Sequence, residues 1–464
     1  MLRLVAAQAE TLWDEALPIE VRELPADLVA LDELLSGPGL LEAFVACWQR
    51  EALVSGVSAV DHGRPTIAIE TYVRLMVLKQ RHGWGYRSLV AEVSDSIHLR
   101  RFCRIALSER VPDESTVRKL TRRIGAETVN DMTRELIEAA VRERRFRARA
   151  VRIDSTVIEA DIKHPTDASL AAHGVRALAR EGRKLAAKLS ENTVRVRDRS
   201  RVMGRRLRSI TRTIRRRTGE AKAEVLALTE QTGKLLKQSV KEARRLAATA
   251  RRKARGRGAR AKLRAAAQLD ELADRCEKVA TQITQRVHGE KICDRLISLA
   301  DPDARPIRKG KLGKPTEFGY VAQIAEITSN TKTGARGLIL PAASLPGNPV
   351  ENTLLPQTVT ELDRLGLAPR EVALDGGFTL GPTTEQLEDL QPDRVFIAGR
   401  HQPGSRRTQR RLQRYRTGAE GRISHLKRGY GLRRSRLKGN DGQKTWTGWA
   451  ILAYNLDTLT IRTA

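Results

Sequence analysis

Three acidic residues stand where carboxylates could take part in catalysis. Asp154 lies in VRIDSTVIEADI, where apolar and polar residues alternate as in a β-strand. Asp375 follows the apolar run 372–374 and precedes two glycines that allow a sharp turn. We interpret both as carboxylates at strand ends. Glu420 is the only acid in residues 401–440, a stretch that holds thirteen Lys and Arg residues.

Carboxylates on a first strand, a later strand and a final helix supply the hard oxygen ligands that a two-metal phosphoryl-transfer site requires. On a helix, Arg416 stands four residues before Glu420 and Lys427 seven after it, so the three side chains lie along one face. The neighbouring apolar stripe, which we expect to pack on a sheet, consists of Leu412, Ala419, Ile423 and Leu426. The alternative for Glu420 is an ordinary ion pair with Arg416, which the spacing alone favours. The combination of three acids favours the metal site.

The elements before these acids begin with a predicted all-α domain at residues 1–147. The segment DESTVRKLTRRIG (113–125) predicts a short basic helix that Asp113 or Ser115 could cap. Short helices followed by a basic one are typical of a helix-turn-helix. An ordinary helical domain with a solvated basic face is the alternative. The residues that would contact DNA in the first case are Arg118, Lys119, Arg122 and Arg123.

A basic helical insertion is predicted at residues 168–305. The stretch 171–300 contains no Pro, Phe, Trp or Tyr and carries 35 basic against 13 acidic residues. Two apolar seams with alternating spacings of three and four predict an antiparallel coiled coil, at Met203, Leu207, Ile210 and Ile214, and at Leu269, Leu272, Cys276, Val279 and Ile283. The segment 251–264 is interpreted as its hairpin tip. Charge runs are usually solvated, but this uncompensated excess favours phosphate contact, with Arg251, Arg252 and Lys253 as candidates.

The catalytic domain is predicted to combine residues 148–167 with 306–464. A strand at Asp154 precedes the insertion, and two strands of a hairpin, 318–328 and 335–343, follow it. Helices and strands then alternate, with helices predicted at 352–366, 382–390 and 407–431, and strands at 371–377 and 394–399. The expected class is therefore α/β, with a mixed sheet as its core.

The charge composition of the chain indicates the chemical class of its binding partner. The chain has 464 residues, enough for more than one domain, with a formal net charge of +30 and a pI of about 10.7. Such an excess of positive charge favours a polyanionic partner, and double-stranded DNA is the usual one. No Walker A loop or G-x-G-x-x-G pattern occurs, so ATP-driven and dinucleotide chemistry are not indicated.

The compartment is predicted from other absences in the sequence. No apolar run approaches the ~18 residues of a membrane span, and Gln8 and Glu10 interrupt the opening segment before a signal-peptide core could form. The four cysteines have no C-x-x-C spacing, which argues against a zinc knuckle or a disulfide framework. We expect a cytoplasmic protein at the nucleoid, with no membrane partner.

With these acids and their spacing, the sequence resembles a known family, the RNase H-like DDE transposases of bacterial insertion sequences. The branch it resembles has a Tyr-x2-Arg-x3-Glu-x6-Lys signature. Arg416, Glu420 and Lys427 match the Arg, Glu and Lys at the required spacing, whereas Gln413 occupies the Tyr position. Asp154 in RIDST and Asp375 in LDGGF are similar to the first and second aspartates of the family. Flanking segments that also resemble it are KHPTD (163–167), KPTEFGY (314–320), GYGLRRSRLKG (429–439) and AILAYNL (450–456).

The resemblance implies an RNase H fold, an N-terminal region that binds terminal inverted repeats, and a homodimer in the DNA complex. It implies that Asp154, Asp375 and Glu420 are catalytic residues and ligands of two Mg²⁺ or Mn²⁺ ions. It also implies that Arg416 and Lys427 contact DNA phosphates near the scissile bond. The alternatives are a DNA-binding protein without catalysis, such as a decayed element copy or a regulator, and a related metal-dependent nuclease.

Overall fold

The computed structural model describes residues 2–6, 16–37, 39–55, 65–189, 195–256, 258–308, 315–400 and 404–463. The chain forms two compact units: Met1–Asp161 together with Gly319–Ala464, and Ile162–Phe318. The first unit combines a mixed sheet with helices, and the second is mainly helical. The predicted α/β class with an RNase H-like mixed sheet is therefore confirmed. The predicted boundary between residues 147 and 148 stays a prediction.

Helices make up most of the described part of residues 16–142. They are α1 (Ile19–Arg22), α2 (Ala26–Leu35), α3 (Glu42–Ser55), α4 (Ile69–Arg81), α5 (Tyr86–Asp95), α6 (Ile97–Phe102) and α7 (Glu114–Arg142). Nearly every side chain of α4 is buried, so this helix lies inside the core rather than along its edge. The buried residues of α4 include the polar side chains of Thr71, Arg74, Lys79 and Gln80.

Helix α7 differs from the predicted short basic helix. Its backbone leaves the helical conformation at Gly125, where φ is 73°, and then continues as a helix to Arg142. Glycine accepts this conformation without the steric cost of a Cβ. Asp113 occupies the N-cap position, but its side chain makes no capping hydrogen bond. The predicted side-chain cap by Asp113 is therefore wrong, and the carbonyl of that residue accepts instead from the amide of Thr116 at 2.9 Å.

The second unit contains α8 (Asp167–Ala187), α9 (Ser200–Thr213), α10 (Gly219–Arg252) and α11 (Ala259–Val287). Small residues allow close helix packing, since a Cβ at Gly233 would lie 2.9 Å from Ile283. The predicted second seam is buried at Leu269, Cys276, Val279 and Ile283. The first seam is buried at Met203 but not along its whole length. Ile214 lies beyond the end of α9 and is 59% exposed.

The strands are β1 (Ala150–Ala160), β2 (Arg305–Ile307), β3 (Glu317–Thr328), β4 (Leu338–Ile339), β5 (Glu371–Leu374), β6 (Arg394–Ile397) and β7 (Arg434–Ser435). The central order is β3-β1-β5-β6. β1 is antiparallel to β3 and parallel to β5, which is parallel to β6. β7 pairs in parallel with the end of β1, where Glu159 lies opposite Arg434.

The predicted antiparallel pairing of 318–328 with 335–343 is present, but the predicted length of the second strand is wrong. Only the two residues of β4 pair with β3, and one further bridge joins Gln323 to Ala343. The side-chain amide of Asn455 hydrogen-bonds both the N–H and the carbonyl of Ile339, each at 2.8 Å. The amide of Leu340 still donates to the carbonyl of Ala325 in β3 at 3.0 Å, but Pro341 has no N–H to continue the ladder.

The last helices are α12 (Glu351–Arg364), α13 (Leu380–Gln386), α14 (Arg406–Gly429) and α15 (Gly439–Thr463). Side chains of β1 alternate between the two faces of the sheet. Val151 and Ile153 lie in the core that includes Leu355 of α12, whereas Ile158 packs with Ile423 of α14. The predicted apolar stripe of α14 is buried and the prediction is confirmed. Among the helices that the structure describes, none has an apolar stretch long enough to cross a bilayer.

Candidate active site

Asp154 lies on the face of the sheet that α14 covers. It shares this face with Arg152, whose Nη1 donates a hydrogen bond to the carbonyl of Tyr415 in α14 at 3.0 Å. The expectation that Asp154 ends its strand is wrong, because β1 continues to Ala160. The strand is longer than expected since β3 pairs along it as far as Glu159 and β7 joins at that end.

Asp375 does end its strand. β1 and β5 pair in parallel with Ile153 opposite Leu374, so Asp154 and Asp375 are the next residues of two adjacent strands. Adjacent strands lie about 4.8 Å apart, and alternation places both carboxylates on the same face. The Asp375 side chain is 42% exposed. The chain turns sharply after it, where a Cβ at Gly376 would meet the carbonyl oxygen of Ala398 at 3.1 Å.

Arg416 joins Asp375 to Glu420. Its Nη1 donates to Oδ1 of Asp375 at 2.9 Å, and its Nη2 donates to Oε1 of Glu420 at 2.6 Å. The Arg416 side chain is 9% exposed, while that of Glu420 is 60% exposed. The ordinary helical pair of Glu420 is therefore present, but the same guanidinium also reaches the acid at the end of β5. The structure thus brings all three predicted acids to one face, two by strand register and the third through Arg416.

The donor chemistry of these acids fits a hard divalent cation, because carboxylate oxygens are the ligands such ions prefer. In the part of the chain that the structure describes, however, no three His, Cys, Asp or Glu residues are grouped as a metal-binding cluster. Arg416 accounts for this at the site, since its guanidinium lies in contact with two of the three predicted ligands. The residue types suit a metal site, and the guanidinium holds the acids near one another.

A buried ionic network fixes α14 on the sheet. Glu326 of β3 is 1% exposed and accepts hydrogen bonds from Nε of Arg152 at 2.8 Å and Nε of Arg422 at 2.9 Å. The amide of Gly337 donates to the same carboxylate at 2.8 Å. Since Arg422 and Glu420 belong to one helix, this network sets the position of Glu420. The sequence held a signal for it, because Glu326 is the one charged residue in the strand segment 318–328.

The signature tyrosine position holds a residue of another kind. Gln413 is exposed on α14, while Tyr415 points into the core, where its hydroxyl lies 2.7 Å from Oγ1 of Thr328. Burial raises the pKa of Tyr415 well above its ordinary value. Tyr415 therefore does not stand in for the missing tyrosine. Lys427, the last residue of the signature, lies half-buried near the end of α14.

The predicted DNA-contacting residues differ in how far other side chains engage them. In α7, Lys119 and Arg122 are exposed, whereas Cζ of Arg123 lies 4.3 Å from the centre of the Trp48 ring and Nη2 of Arg118 lies 3.9 Å from Glu114. At the hairpin, the three predicted side chains are exposed, and one of them, Arg251, pairs with Asp270.

One basic helix face was not among the predicted DNA-contacting surfaces. Arg201, Arg205, Arg208 and Arg212 follow one face of α9, and all four are exposed. Within the described ranges, no carboxylate lies within 4.0 Å of any of them. Their spacing of four, three and four residues was the signal that could have identified them. Glu351 is a second omission, since its Oε2 accepts from Oγ of Ser155, the neighbour of Asp154, at 2.6 Å.

Comparison with known proteins found two matching family models. Residues 39–123 match the family described as "Transposase domain (DUF772)", and residues 302–456 match the "Transposase DDE domain". The first stretch includes the basic half of α7, the second includes Asp375 and Glu420, and Asp154 lies outside both. The chain is 28% identical over 149 residues to "Uncharacterized protein ORF8 in nfe locus" of Rhizobium meliloti, covering 31% of this chain and 72% of that protein. No solved structure matches.

Proposed function

The chain belongs to the DDE transposases of insertion sequences, and from this premise we propose that it cuts DNA at the ends of its element and joins the freed 3′-hydroxyl to target DNA. Water first breaks a phosphodiester bond and leaves a 3′-hydroxyl. That hydroxyl then attacks a target phosphodiester, so that one P–O bond forms as another breaks. The observation that carries the proposal is the placement of Asp154 and Asp375 on adjacent parallel strands, with Glu420 held beside Asp375.

DDE transposases generally use divalent metal ions. We assign Asp154, Asp375 and Glu420 as the catalytic residues that would hold two Mg²⁺ or Mn²⁺ ions. Such ions, when bound, act as Lewis acids that activate the attacking oxygen and stabilise the leaving oxygen. Arg416 is a positioning residue in this proposal, because its guanidinium offsets the charge of Asp375 and Glu420 and fixes their separation. A phosphate contact by Arg416 would require it to leave one of these acids.

The DNA surface of the proposal has three parts. Lys427 would contact a phosphate near the reacting bond, together with other cations on α14. The basic half of α7 would hold the terminal repeats through Arg118, Lys119, Arg122 and Arg123. The second unit would contact the backbone through the hairpin residues Arg251, Arg252 and Lys253 and through the exposed arginine face of α9. Two copies, each bound to one end, would form the homodimer, and chromosomal DNA as substrate supports a cytoplasmic location at the nucleoid.

The test is cleavage of a labelled duplex that carries the native element ends, in Mg²⁺ or Mn²⁺, by the wild type, Glu420→Gln and Asp375→Asn. Both variants should bind DNA like the wild type but cut it more than about 100-fold more slowly, because metal ligands matter at least as much as their supporting residues. Glu385→Gln is the matched control, since Glu385 is an exposed acid of α13. Mn²⁺ should raise the melting temperature of the wild type but not of Asp375→Asn.

The outcomes separate the three functions. Cleavage with joined products supports the transposase, whereas cleavage without any joined product favours the nuclease. If the wild type binds the ends but does not cut, and Mn²⁺ leaves its melting temperature unchanged, the DNA-binding function without catalysis replaces the proposal.

A further inference from the structure

A strongly basic cavity of about 420 Å³ lies in the first unit, at the end of α4 and beside β7. It is lined by Lys79, Gln80, Gly83, Trp84, Gly431, Arg433, Arg434, Arg436 and Trp446. Four of these nine residues are cations and two are tryptophans, and none is an acid. Its volume lies in the range of small-molecule sites. Nothing in the proposed function uses it.

Lys79 is a buried cation in the wall of this cavity. It is 1% exposed, and its Nζ lies 4.2 Å from the centre of the Trp446 ring and 5.0 Å from that of Tyr86. Its Nζ donates a hydrogen bond to a neutral acceptor, Oε1 of Gln80, at 3.3 Å. Burial and the positive charge of Arg436 lower the pKa of Lys79 to about 7. A buried ammonium group without a carboxylate costs stability that an incoming anion could offset.

The arginines of the cavity are arranged differently from one another. Arg434 is held by Glu159, whose Oε2 lies 2.9 Å from its Nη2, so this ion pair fixes the wall where β7 meets β1. Within the described ranges, Arg433 and Arg436 have no carboxylate within 4.0 Å. Gly85 leaves room for Arg436, since a Cβ there would lie 3.3 Å from its Nη1. Two arginines and one lysine are therefore available to an anion.

Trp84 supplies an aromatic surface in the same wall. Its ring stacks on that of His82, with centroids 4.3 Å apart and an angle of 14° between the planes. The Trp84 side chain is half-buried. Part of it is covered by neighbouring residues, and part of it lines the cavity. An aromatic ring beside cations is the combination that binds a nucleotide, because the base can stack while the phosphate is neutralised.

The cavity lies within reach of a DNA strand at the three acids. Along β1, the five residues from Asp154 to Glu159 cover about 17 Å at roughly 3.3 Å per residue. From Glu420 to Tyr430, the helix rises about 15 Å at 1.5 Å per residue. Duplex DNA rises about 3.4 Å per base pair, so this separation corresponds to about five base pairs.

We propose that this cavity binds one nucleotide of the DNA strand held at the active site, with its phosphate between Lys79, Arg433 and Arg436 and its base against Trp84. The proposal rests on the proposed function, since it presumes a DNA substrate, and it names a contact at a distance from the reacting bond. The shared chemistry is that of an anionic phosphate group, so a free phosphate or free nucleotide is the competing source.

Photo-crosslinking tests the base contact. Duplexes with the native element ends carry 5-iodouracil at single positions within ten base pairs of the cleavage site, and they are irradiated with the Glu420→Gln protein, whose DNA binding does not depend on cleavage. One position should crosslink to the peptide 82–87, and Trp84→Leu should abolish that crosslink and weaken binding about 10-fold. Crosslinks at other peptides only, with normal binding by Trp84→Leu, would overturn the proposal.

Substitution of the cations tests the phosphate contact. Lys79→Met should raise the melting temperature, because it removes a desolvated charge, and should weaken DNA binding about 10-fold. A purely structural lysine would show the opposite, with a lower melting temperature and unchanged binding. In the double variant Arg433→Gln and Arg436→Gln, the slope of the logarithm of the binding constant against the logarithm of the salt concentration should fall in magnitude by up to about 0.9 per lost phosphate contact. The control is Arg142→Gln, because Arg142 pairs with Glu135 outside the cavity.

The source of the phosphate is tested with inorganic phosphate and a free deoxynucleoside monophosphate as probes. If either raises the melting temperature of the wild type but not of Lys79→Met, while no DNA position crosslinks to peptide 82–87, the cavity binds free anions and the DNA contact is wrong. Crosslinking and binding are measured without cleavage. An absence of catalysis would therefore contradict the proposed function, while the crosslinking and binding results would still test the cavity.

Discussion

Nη1 of Arg416 lies 2.9 Å from Oδ1 of Asp375, and this contact ties the last helix of the site to the end of β5. The same guanidinium contacts Glu420 at 2.6 Å. Two carboxylates that would otherwise repel each other are therefore held together by one buried cation. Arg suits this role because its planar group offers parallel donors to two acids, whereas Lys presents a single compact charge.

Replacement of Arg416 should destabilise the protein. We expect Arg416→Gln to lower the free energy of unfolding by about 1–2 kcal/mol, because two charge-assisted hydrogen bonds are lost, with a discount for the exposure of Glu420. Arg414→Gln should change it by less than about 0.5 kcal/mol, since Arg414 is exposed on the same helix. Urea unfolding measures both, and equal values for the two variants would contradict the positioning role.

Gly418 and Gly421 of α14 should respond to alanine in opposite ways. A Cβ at Gly418 would lie 1.9 Å from Nη1 of Arg152, which is held by Glu326 and by the carbonyl of Tyr415. Gly418→Ala should therefore lower the free energy of unfolding by roughly 1–3 kcal/mol and reduce cleavage. A Cβ at Gly421 meets nothing within 4 Å, so Gly421→Ala should stabilise the helix by up to about 1 kcal/mol. Thermal unfolding of the pair decides, and a stabilising Gly418→Ala would refute the close packing.

Loss of the buried charge on Glu326 should be costly. Glu326→Gln leaves Arg152, which is 2% exposed, without its counter-charge, and should cost about 3–5 kcal/mol. In the double variant with Arg152→Met, the loss should be smaller than the sum of the single losses, because no isolated cation stays at that position. Chemical denaturation of the four proteins gives the coupling energy, and additive losses would contradict the pairing.

The stability of the protein should depend on pH through Lys79. Its folded pKa is lowered to about 7, below the value of about 10.4 expected in the unfolded chain. Between these values the unfolded chain binds a proton that the folded protein does not, so this group makes stability rise with pH, by at most about 1.4 kcal/mol per pH unit. Below pH 7 both states are protonated and the penalty is constant.

Lys79→Met removes this dependence. The stability advantage of the variant over the wild type should be greatest below pH 7 and should shrink toward pH 9, as urea unfolding at several pH values would measure. The difference in the free energy of unfolding between the two proteins cancels the contributions of the buried tyrosines and cysteines, because both proteins contain them. A difference that stays constant with pH would show that Lys79 keeps its ordinary pKa.

Much of the fold and of the candidate site could be predicted from local patterns. Strand alternation around Asp154, the apolar run before Asp375 and the helical stripe at Leu412 to Leu426 depend on residues close together in the sequence, and the structure has these elements. The long helices of the insertion followed from the buried seam at Leu269 to Ile283 in the same way. Such patterns are readable because one face of each element must be apolar.

The errors arose where distant residues decide. The strand predicted at 335–343 is reduced to β4, and the amide of Asn455 in α15 hydrogen-bonds the backbone of Ile339 on the side away from β3. Asp154 lies within its strand because β3, which follows the insertion in the sequence, pairs with β1 as far as Glu159. Periodicity carries no information about either partner.

The sequence by itself determined the types of the elements and which carboxylates stand on them, because periodicity and turn chemistry act over a few residues. Tertiary structure alone decided the register that makes Asp154 and Asp375 neighbours, and it placed Arg416 between Asp375 and Glu420. It also gathered Lys79, Trp84 and Arg436 around one cavity. These arrangements depend on the pairing of strands and the packing of α14 on the sheet, which involve residues up to several hundred positions apart and leave no periodic signal in the chain.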